Sequence, residues 1–158
     1  MDVLAARIAE RLKSAGQVLA SAESCTGGWA AQVVTSVAGS SGWFDRGFVT
    51  YSNDAKHEML GVAWSTLERH GAVSEETARE MALGALERSR ATVSLAITGI
   101  AGPTGGSASK PVGTVCFAWA KAGGVRSEMR HFHGDRESVR KQSVVRALEG
   151  VIALLDAP

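Results

Sequence analysis

Side chains capable of nucleophilic chemistry are concentrated between residues 21 and 28, where the sequence reads SAESCTGG. Hydroxyl, thiol and carboxylate groups lie there just before two glycines. An apolar segment (18–20) precedes the stretch and a helix-like segment (29–34) follows it, so a strand-to-helix turn is predicted, where α/β proteins usually keep their chemistry. The first N–H groups of a helix lack intrahelical partners, and they would stabilise a nucleophile or an anion at this turn.

Two residues of the turn compete as the nucleophile, Ser24 and Cys25. A serine hydroxyl needs a neighbouring base, and it needs donors for the oxyanion that forms when a carbonyl carbon is attacked. The backbone N–H groups of Thr26, Gly27 or Gly28 are candidate donors, with Thr26 and Gly27 the preferred pair. A thiol at a helix N-terminus has a lowered pKa, which favours Cys25. The plainer alternatives are that Ser24 or Thr26 only caps the helix and that Cys25 is buried and inert.

Lys56 is the candidate base for Ser24. Residues 43–52 are predicted to form a strand that ends near Tyr51, and the helix after it runs through Leu60, so Tyr51 and Lys56 can face one cleft. If burial or nearby positive charge lowers the lysine pKa, Lys56 could accept the serine proton, an arrangement found on unrelated folds. The alternatives are a lysine exposed to solvent and a tyrosine at the edge of the core with its hydroxyl bonded to the backbone.

A glycine-rich loop (99–107) follows residues 91–98, a nearly continuous apolar segment typical of a central strand. Several N–H groups of this loop could converge on an anion, although the glycine spacing matches neither common nucleotide-binding motif. Arg136 and Arg140 lie one turn apart near the predicted start of the last helix and strengthen the anion interpretation; a solvated helix face is the alternative. The glycines concerned are Gly99, Gly102, Gly105 and Gly106.

Composition narrows the class of protein. The 158 residues fit one domain, 45% are hydrophobic and the formal net charge is +1, so neither nucleic acid nor an anionic membrane surface is an expected partner. No apolar run approaches the roughly 20 residues of a membrane span, and the N-terminal segment is amphipathic rather than a signal peptide, which favours a cytoplasmic protein. The two cysteines are expected to be reduced, and the pair His131 and His133 lacks a third ligand, so no metal is expected.

Hydrophobic periodicity and turn residues predict a single α/β domain, a mixed β-sheet with helices on its faces. The predicted strands are 17–23, 43–52, 91–98, 112–120 and 125–132, the last two forming a hairpin. The predicted helices are 2–15 with Val3 in its apolar stripe, a segment from Trp29, one ending at Leu60, 64–70, one capped by Ser74 and one capped by Asp135.

Seven segments of the chain, taken in order, resemble the CinA C-terminal domain family. They cover nearly the whole chain and include the turn and the glycine-rich loop. The segments are Ala22–Gly28, Ala38–Ser41, Gly47–Lys56, Gly71–Ser74, Gly99–Pro103, Lys110–Val115 and Gly134–Arg136. The resemblance implies hydrolysis of the carboxamide of nicotinamide mononucleotide to nicotinate mononucleotide and ammonia, in pyridine-nucleotide salvage, without metal or cofactor.

The resemblance also implies roles for individual residues. Ser24 is the expected nucleophile, Lys56 its base and Tyr51 a helper in the cleft. The groups expected to position the substrate are Thr98, the 99–106 loop, Arg136 and Arg140. A homo-oligomer is expected from the same source. The family's association with competence and DNA damage keeps a second hypothesis open, a nucleotide-binding or regulatory module without turnover; longer members add an N-terminal domain whose function is not carried over.

Overall fold

A five-stranded mixed sheet forms the centre of the molecule, as a computed structural model describes it for residues 1–157. The strands are β1 (Leu19–Glu23), β2 (Phe44–Val49), β3 (Val93–Gly99), β4 (Thr114–Lys121) and β5 (Gly124–His131). Their order is β2-β1-β3-β4-β5; β1 runs parallel to β2 and β3, whereas β4 and β5 continue the sheet antiparallel. The predicted α/β class and mixed sheet are confirmed.

Within residues 1–157, six α-helices cover the two faces of the sheet. They are α1 (Asp2–Ala15), α2 (Trp29–Thr35), α3 (Asn53–Leu60), α4 (Trp64–His70), α5 (Glu75–Glu87) and α6 (Arg136–Asp156). Helices α1, α2 and α6 bury the larger strand side chains, such as Leu95, Phe117 and Trp119. Helices α3, α4 and α5 pack on the other face, where the strands present mainly alanines and the helices can approach closely.

Local sequence signals placed most helix ends correctly. Helix α1 spans the predicted residues and ends at Gly16, whose φ of 63° suits glycine and whose amide bonds back to the last turn. Ser52, Ser74 and Asp135 each accept an N–H bond at the start of a helix. Val3 is an exception: the prediction that it belongs to the buried stripe is wrong, because its side chain is 77% exposed.

Among the strand boundaries, the end of β2 differs most from the prediction. Strand β2 ends at Val49 rather than at residue 52, because the chain then turns to begin α3. The hairpin has the predicted position, with Lys121 paired to Gly124 across a two-residue turn.

Among residues 1–157, none of the helices combines the length and the apolarity that a bilayer crossing demands.

Candidate active site

Ser24 lies one residue beyond β1, at the carboxyl end of parallel strands. Its backbone N–H donates to the carbonyl of Ile97 on β3 at 2.9 Å, which fixes the point where the chain leaves the sheet. Glu23 is paired with Ile97 in the parallel register, so the next residues, Ser24 and Thr98, are neighbours across the two strands. Ser24 is buried and faces a cavity.

Lys56 reaches Ser24 from α3 on the same face of the sheet. Its Nζ lies 3.0 Å from the Ser24 Oγ and 3.0 Å from the carbonyl oxygen of Thr50, and only 1% of the residue is exposed. Burial disfavours the charged ammonium and lowers the pKa of Lys56. The alternative of a solvent-exposed lysine is therefore wrong, and the lysine and serine form a direct pair.

Cys25 differs from the expectation for a thiol at a helix N-terminus. Its side chain is buried, and this burial raises the pKa of the thiol to about 11, although the nearby Arg140 guanidinium acts in the opposite direction. The expectation of a lowered pKa is wrong because loss of hydration outweighs the positive end of the short helix. Near neutral pH the thiol stays protonated, which makes it a weak nucleophile beside a serine in contact with a lysine.

Glu23 holds the start of α2, a role that the sequence did not reveal. Its buried carboxylate accepts the N–H groups of Ala30 at 2.9 Å and Ala31 at 3.1 Å, and it accepts the Thr26 hydroxyl at 2.6 Å. The alternative in which Ser24 or Thr26 caps this helix is therefore wrong. The available signal was a carboxylate shortly before a helix, where the helix dipole favours negative charge.

Arg140 of α6 binds two carbonyl oxygens of the turn. Its Nε donates to the carbonyl oxygen of Cys25 at 3.0 Å and its second nitrogen to that of Thr26 at 3.2 Å, while the guanidinium lies 5.5 Å from the Trp29 ring centroid. A trans peptide points its N–H opposite to its C=O. By holding the Cys25 carbonyl, Arg140 therefore fixes the direction of the Thr26 N–H.

The backbone donors of the turn are not equivalent. The Gly27 N–H donates to the carbonyl oxygen of Ser24 at 3.0 Å, so it is already engaged and the prediction that it serves as an oxyanion donor is wrong. Within residues 1–157, the N–H groups of Cys25 and Thr26 donate to no acceptor. The Thr26 N–H, held in direction by Arg140, is the better-defined donor.

A cavity of about 290 Å³ opens in front of Ser24 and Lys56. The predicted site residues Tyr51, Thr98 and Arg136 line it, together with Gly99, Gly102, Gly105 and Gly106 of the loop. Arg140 does not line it, so the expectation that Arg140 contacts substrate gives way to its contact with the turn. Within residues 1–157, none of the residues that line the cavity is acidic.

Arg136 connects two walls of the cavity. One guanidinium nitrogen donates to the carbonyl oxygen of Gly102 at 2.8 Å and another to the Tyr51 hydroxyl at 3.0 Å. Tyr51 is 62% exposed, so the alternative of a core-edge tyrosine bonded to the backbone is wrong. Gly102 permits this loop path, because a Cβ there would lie 2.4 Å from a Val112 methyl group.

The two histidines of β5 and its end lie away from this cavity. The rings of His131 and His133 meet edge to face, 5.2 Å apart, and the His131 Nε2 lies 3.0 Å from the Val112 carbonyl oxygen. In the part of the chain that the structure covers, residues 1–157, no three His, Cys, Asp or Glu side chains are grouped so as to hold a metal ion.

These features define a class: a single-domain α/β protein with a buried serine–lysine pair at the carboxyl end of parallel strands. The chain belongs to the CinA family, because the family model of the CinA C-terminal domain matches residues 1–155. It is similar to the nicotinamide-nucleotide amidohydrolase PncC of Escherichia coli K12, at 54% identity over 92% of this chain and 89% of the relative.

Two further comparisons agree with this family. The nicotinamide-nucleotide amidohydrolase PncC of Pseudomonas putida is 48% identical over 98% of this chain and 96% of the relative. The crystal structure of the competence/damage inducible protein CihA from Agrobacterium tumefaciens superposes with a TM-score of 0.94 at 52% identity, covering 97% of this chain and 94% of that one. The similarity therefore extends over nearly the full length of each chain.

Proposed function

We propose that this protein hydrolyses the carboxamide of nicotinamide mononucleotide, forming nicotinate mononucleotide and ammonia in pyridine-nucleotide salvage. The relatives named as nicotinamide-nucleotide amidohydrolases support the substrate. The observation that carries the chemistry is the 3.0 Å contact between the Lys56 Nζ and the Ser24 Oγ. A buried lysine whose pKa is lowered can be neutral near physiological pH and can then act as a base.

Acylation begins with proton transfer from the Ser24 hydroxyl to neutral Lys56. The Oγ then attacks the carboxamide carbon, and the carbonyl oxygen becomes an oxyanion that the Thr26 N–H stabilises, with the Cys25 N–H as a second donor. When the C–N bond breaks, the Lys56 ammonium returns its proton to the leaving nitrogen. Ammonia departs, and the acyl group remains as an ester on Ser24.

Deacylation repeats these roles with water in place of the serine. Lys56, neutral again, takes a proton from a water molecule as the water oxygen attacks the ester carbon. The bond between that carbon and the Ser24 Oγ breaks, and Lys56 returns the proton to Ser24. Every proton is moved by groups of this chain, so the scheme needs neither metal nor cofactor.

The rest of the cavity positions the nucleotide. Arg136 supplies a guanidinium suited to a phosphate, and the N–H groups of the 99–106 loop line the same space. Tyr51 donates no hydrogen bond to a group within residues 1–157 and accepts one from Arg136, so its O–H is free to donate to the substrate. We assign these groups to binding and Ser24 and Lys56 to the reaction.

We also propose that the protein acts in the cytoplasm as a homo-oligomer. The substrate is a nucleotide of central metabolism, which supports this location. The assembly is an expectation from the family resemblance. Analytical ultracentrifugation of the purified chain tests the assembly: a species of monomer mass at micromolar concentration would contradict it.

Purified protein incubated with nicotinamide mononucleotide tests the function. We expect ammonia and nicotinate mononucleotide to be released in equal amounts. An enzyme-coupled assay measures the ammonia, and chromatography measures the nucleotide. The Ser24→Ala variant, purified identically, controls for contaminating amidases. Saturable binding of the nucleotide without product would contradict an enzyme and would support the nucleotide-binding or regulatory module instead.

A further inference from the structure

We infer that Thr98 selects the carboxamide substrate over the carboxylate product. The inference rests on the proposed function and assigns a specificity to one wall of the same cavity. Thr98 ends the buried part of β3 and lines the cavity together with Ser24. It is a positioning and specificity residue, because no step of the reaction passes through its hydroxyl.

Thr98 lies directly beside the nucleophile. The parallel register of β1 and β3 makes the residues after Glu23 and Ile97 neighbours, and those residues are Ser24 and Thr98. Their side chains point to the face that carries Ala22 and Ala96. Neighbouring strands are about 4.8 Å apart, so a carboxamide carbon in front of the Ser24 Oγ has its nitrogen within reach of Thr98.

The Thr98 hydroxyl can only accept a hydrogen bond from the substrate. Its Oγ1 lies 2.8 Å from the carbonyl oxygen of Ala72, which has no proton to give, so the single hydroxyl proton is used there. Gly71, the preceding residue, is itself held, because its carbonyl accepts the hydroxyls of Ser74 and Thr77. The Thr98 oxygen is thereby fixed with its lone pairs available to the cavity.

This arrangement distinguishes an amide from an acid. A carboxamide offers N–H donors to the Thr98 oxygen, whereas a carboxylate offers only oxygens and would face lone pairs with lone pairs. The guanidinium of Arg136, which lines the cavity, is positively charged and would by itself favour the more negative product. Thr98 opposes that preference and also turns the amide nitrogen away from the oxyanion donors.

The test measures binding without turnover. In the Ser24→Ala background, the dissociation constants of nicotinamide mononucleotide and nicotinate mononucleotide are measured by calorimetry, with Thr98 intact or changed to Val or Ser. We expect Thr98→Val to shift the ratio of the two constants toward the acid by about tenfold, since one hydrogen bond with a buried partner is lost. Thr98→Ser, which keeps the hydroxyl, should stay within about twofold of the parent ratio.

A matched control removes an equivalent hydroxyl outside the cavity. Ser94 lies on β3 with Thr98, is buried outside the cavity and donates its hydroxyl to the Ala82 carbonyl at 2.7 Å, so Ser94→Ala loses a similar bond to a backbone carbonyl. We expect it to leave the ratio unchanged. A ratio unaltered by Thr98→Val, or altered equally by Thr98→Ser or Ser94→Ala, would overturn the inference.

A change in the ligand tests the inference even where a Thr98 variant folds poorly. The methyl ketone analogue of nicotinamide mononucleotide replaces the NH₂ group by CH₃ and keeps the carbonyl. The Ser24→Ala protein should bind it about tenfold more weakly than the amide, because the donor to Thr98 is missing. Equal binding would overturn the inference, whereas absence of ammonia release by the wild-type chain would overturn the proposed function and leave these binding ratios as measured.

Discussion

Lys56 is a buried lysine without an acidic partner. Within residues 1–157 no carboxylate lies within ion-pair distance of its Nζ, which instead contacts the Ser24 hydroxyl and the Thr50 carbonyl. Neither contact compensates for the hydration that a full positive charge loses on burial, so burial lowers the pKa of Lys56. The same burial that is costly for the ammonium gives the site its neutral base.

The pH dependence of the reaction should report this base. Only neutral Lys56 can accept the serine proton, so kcat/KM is lost as the pH falls through the Lys56 pKa and rises with pH toward a plateau above it. Because burial lowers that pKa, the rising limb should lie below the ordinary range of lysine. A pH series of initial rates measures it; a limb within the ordinary lysine range would contradict the assignment.

Substitution of Lys56 separates charge from basicity. Lys56→Met should lower kcat by about 10³-fold, the usual contribution of a positioned general base. Lys56→Arg keeps a positive charge but cannot become neutral, so it should fall as far. Ammonia release gives the rates and circular dichroism checks the fold. Substantial activity in the Arg variant would show that charge alone is required.

For individual residues, the sequence predicted which side chains belong to the candidate site better than it predicted the contacts between them. Strand and helix patterns placed Ser24 and Lys56 at ends that could face one cleft, but their separation in space depends on how α3 packs. The role of Arg140 depends on backbone carbonyls that lie far from it in the sequence, whereas the role of Glu23 was indicated only by a carboxylate shortly before a helix. The prediction of a lowered pKa for the Cys25 thiol was wrong for a related reason, since the burial that raises this pKa depends on the tertiary structure.

The turn between β1 and α2 is held at both ends by other elements. Glu23, at the end of β1, accepts the first N–H groups of α2, and Arg140 of α6 binds the carbonyls of Cys25 and Thr26. Arg140 thus controls the direction of the Thr26 N–H without itself lining the cavity. An oxyanion donor is effective when its direction is fixed before the reaction begins.

Removal of the Arg140 guanidinium should therefore lower kcat and leave KM nearly unchanged. We expect Arg140→Met to reduce kcat by about 10²-fold, comparable to loss of one oxyanion donor, with KM within about threefold. Steady-state kinetics with nicotinamide mononucleotide measure both. A rise in KM at constant kcat would contradict this account and would restore Arg140 to substrate binding.

Arg146 provides a matched control for Arg140. It lies on the same helix and its guanidinium is 5.4 Å from the centroid of the Trp119 ring, much as Arg140 stacks on Trp29. Its ion pairs are with Glu128 and Glu149, far from the turn. Arg146→Met should leave kcat unchanged, and any loss should be confined to the thermal unfolding midpoint.

Element boundaries were predicted well where a cap or a glycine marks them. Gly16, Ser74 and Asp135 gave correct helix ends because their local geometry needs no tertiary contact. The end of β2 was predicted too late. After Val49 the chain turns away, and the Thr50 carbonyl points to Lys56 rather than to a strand partner. Residues typical of strands, Thr50 and Tyr51, continue beyond the end of β2. Composition alone therefore could not show that the strand ends at Val49.

Across the whole molecule, the position of Lys56 depends on how closely α3 approaches α5. Gly84 of α5 packs against the end of α3, and a Cβ at this position would lie 2.0 Å from the Leu60 carbonyl oxygen. Small residues on the sheet face below, such as Ala96 and Ala118, allow α5 itself to sit low. The depth of this layer sets the distance from α3 to Ser24.

Gly84→Ala should destabilise the protein and displace the lysine. We expect a loss of about 1–3 kcal/mol in the free energy of unfolding, the usual cost of overpacking, and a lower kcat. Gly42→Ala is the control, because nothing lies within 4 Å of a Cβ there. Urea denaturation compares the two; equal stability of the Gly84 and Gly42 variants would contradict the packing argument.

The sequence indicated the fold class but not the strand order. The hairpin β4–β5 and the parallel connection around Ser24 follow from short-range patterns. Placement of β1 between β2 and β3 depends on pairings between residues far apart, such as Leu19 with Val93. That order brings Ser24 and Thr98 together, so the selectivity assigned to Thr98 could not be derived before the sheet was known.

The central claim is that Ser24, rather than Cys25, attacks the carboxamide. The most direct measurement compares ammonia release from nicotinamide mononucleotide by Ser24→Ala and Cys25→Ala, with folding checked by circular dichroism. We predict that Ser24→Ala loses about 10³-fold or more in kcat, and that Cys25→Ala, which keeps its backbone N–H, stays within a few-fold of wild type. Full activity in Ser24→Ala, or a loss confined to Cys25→Ala, would contradict the account.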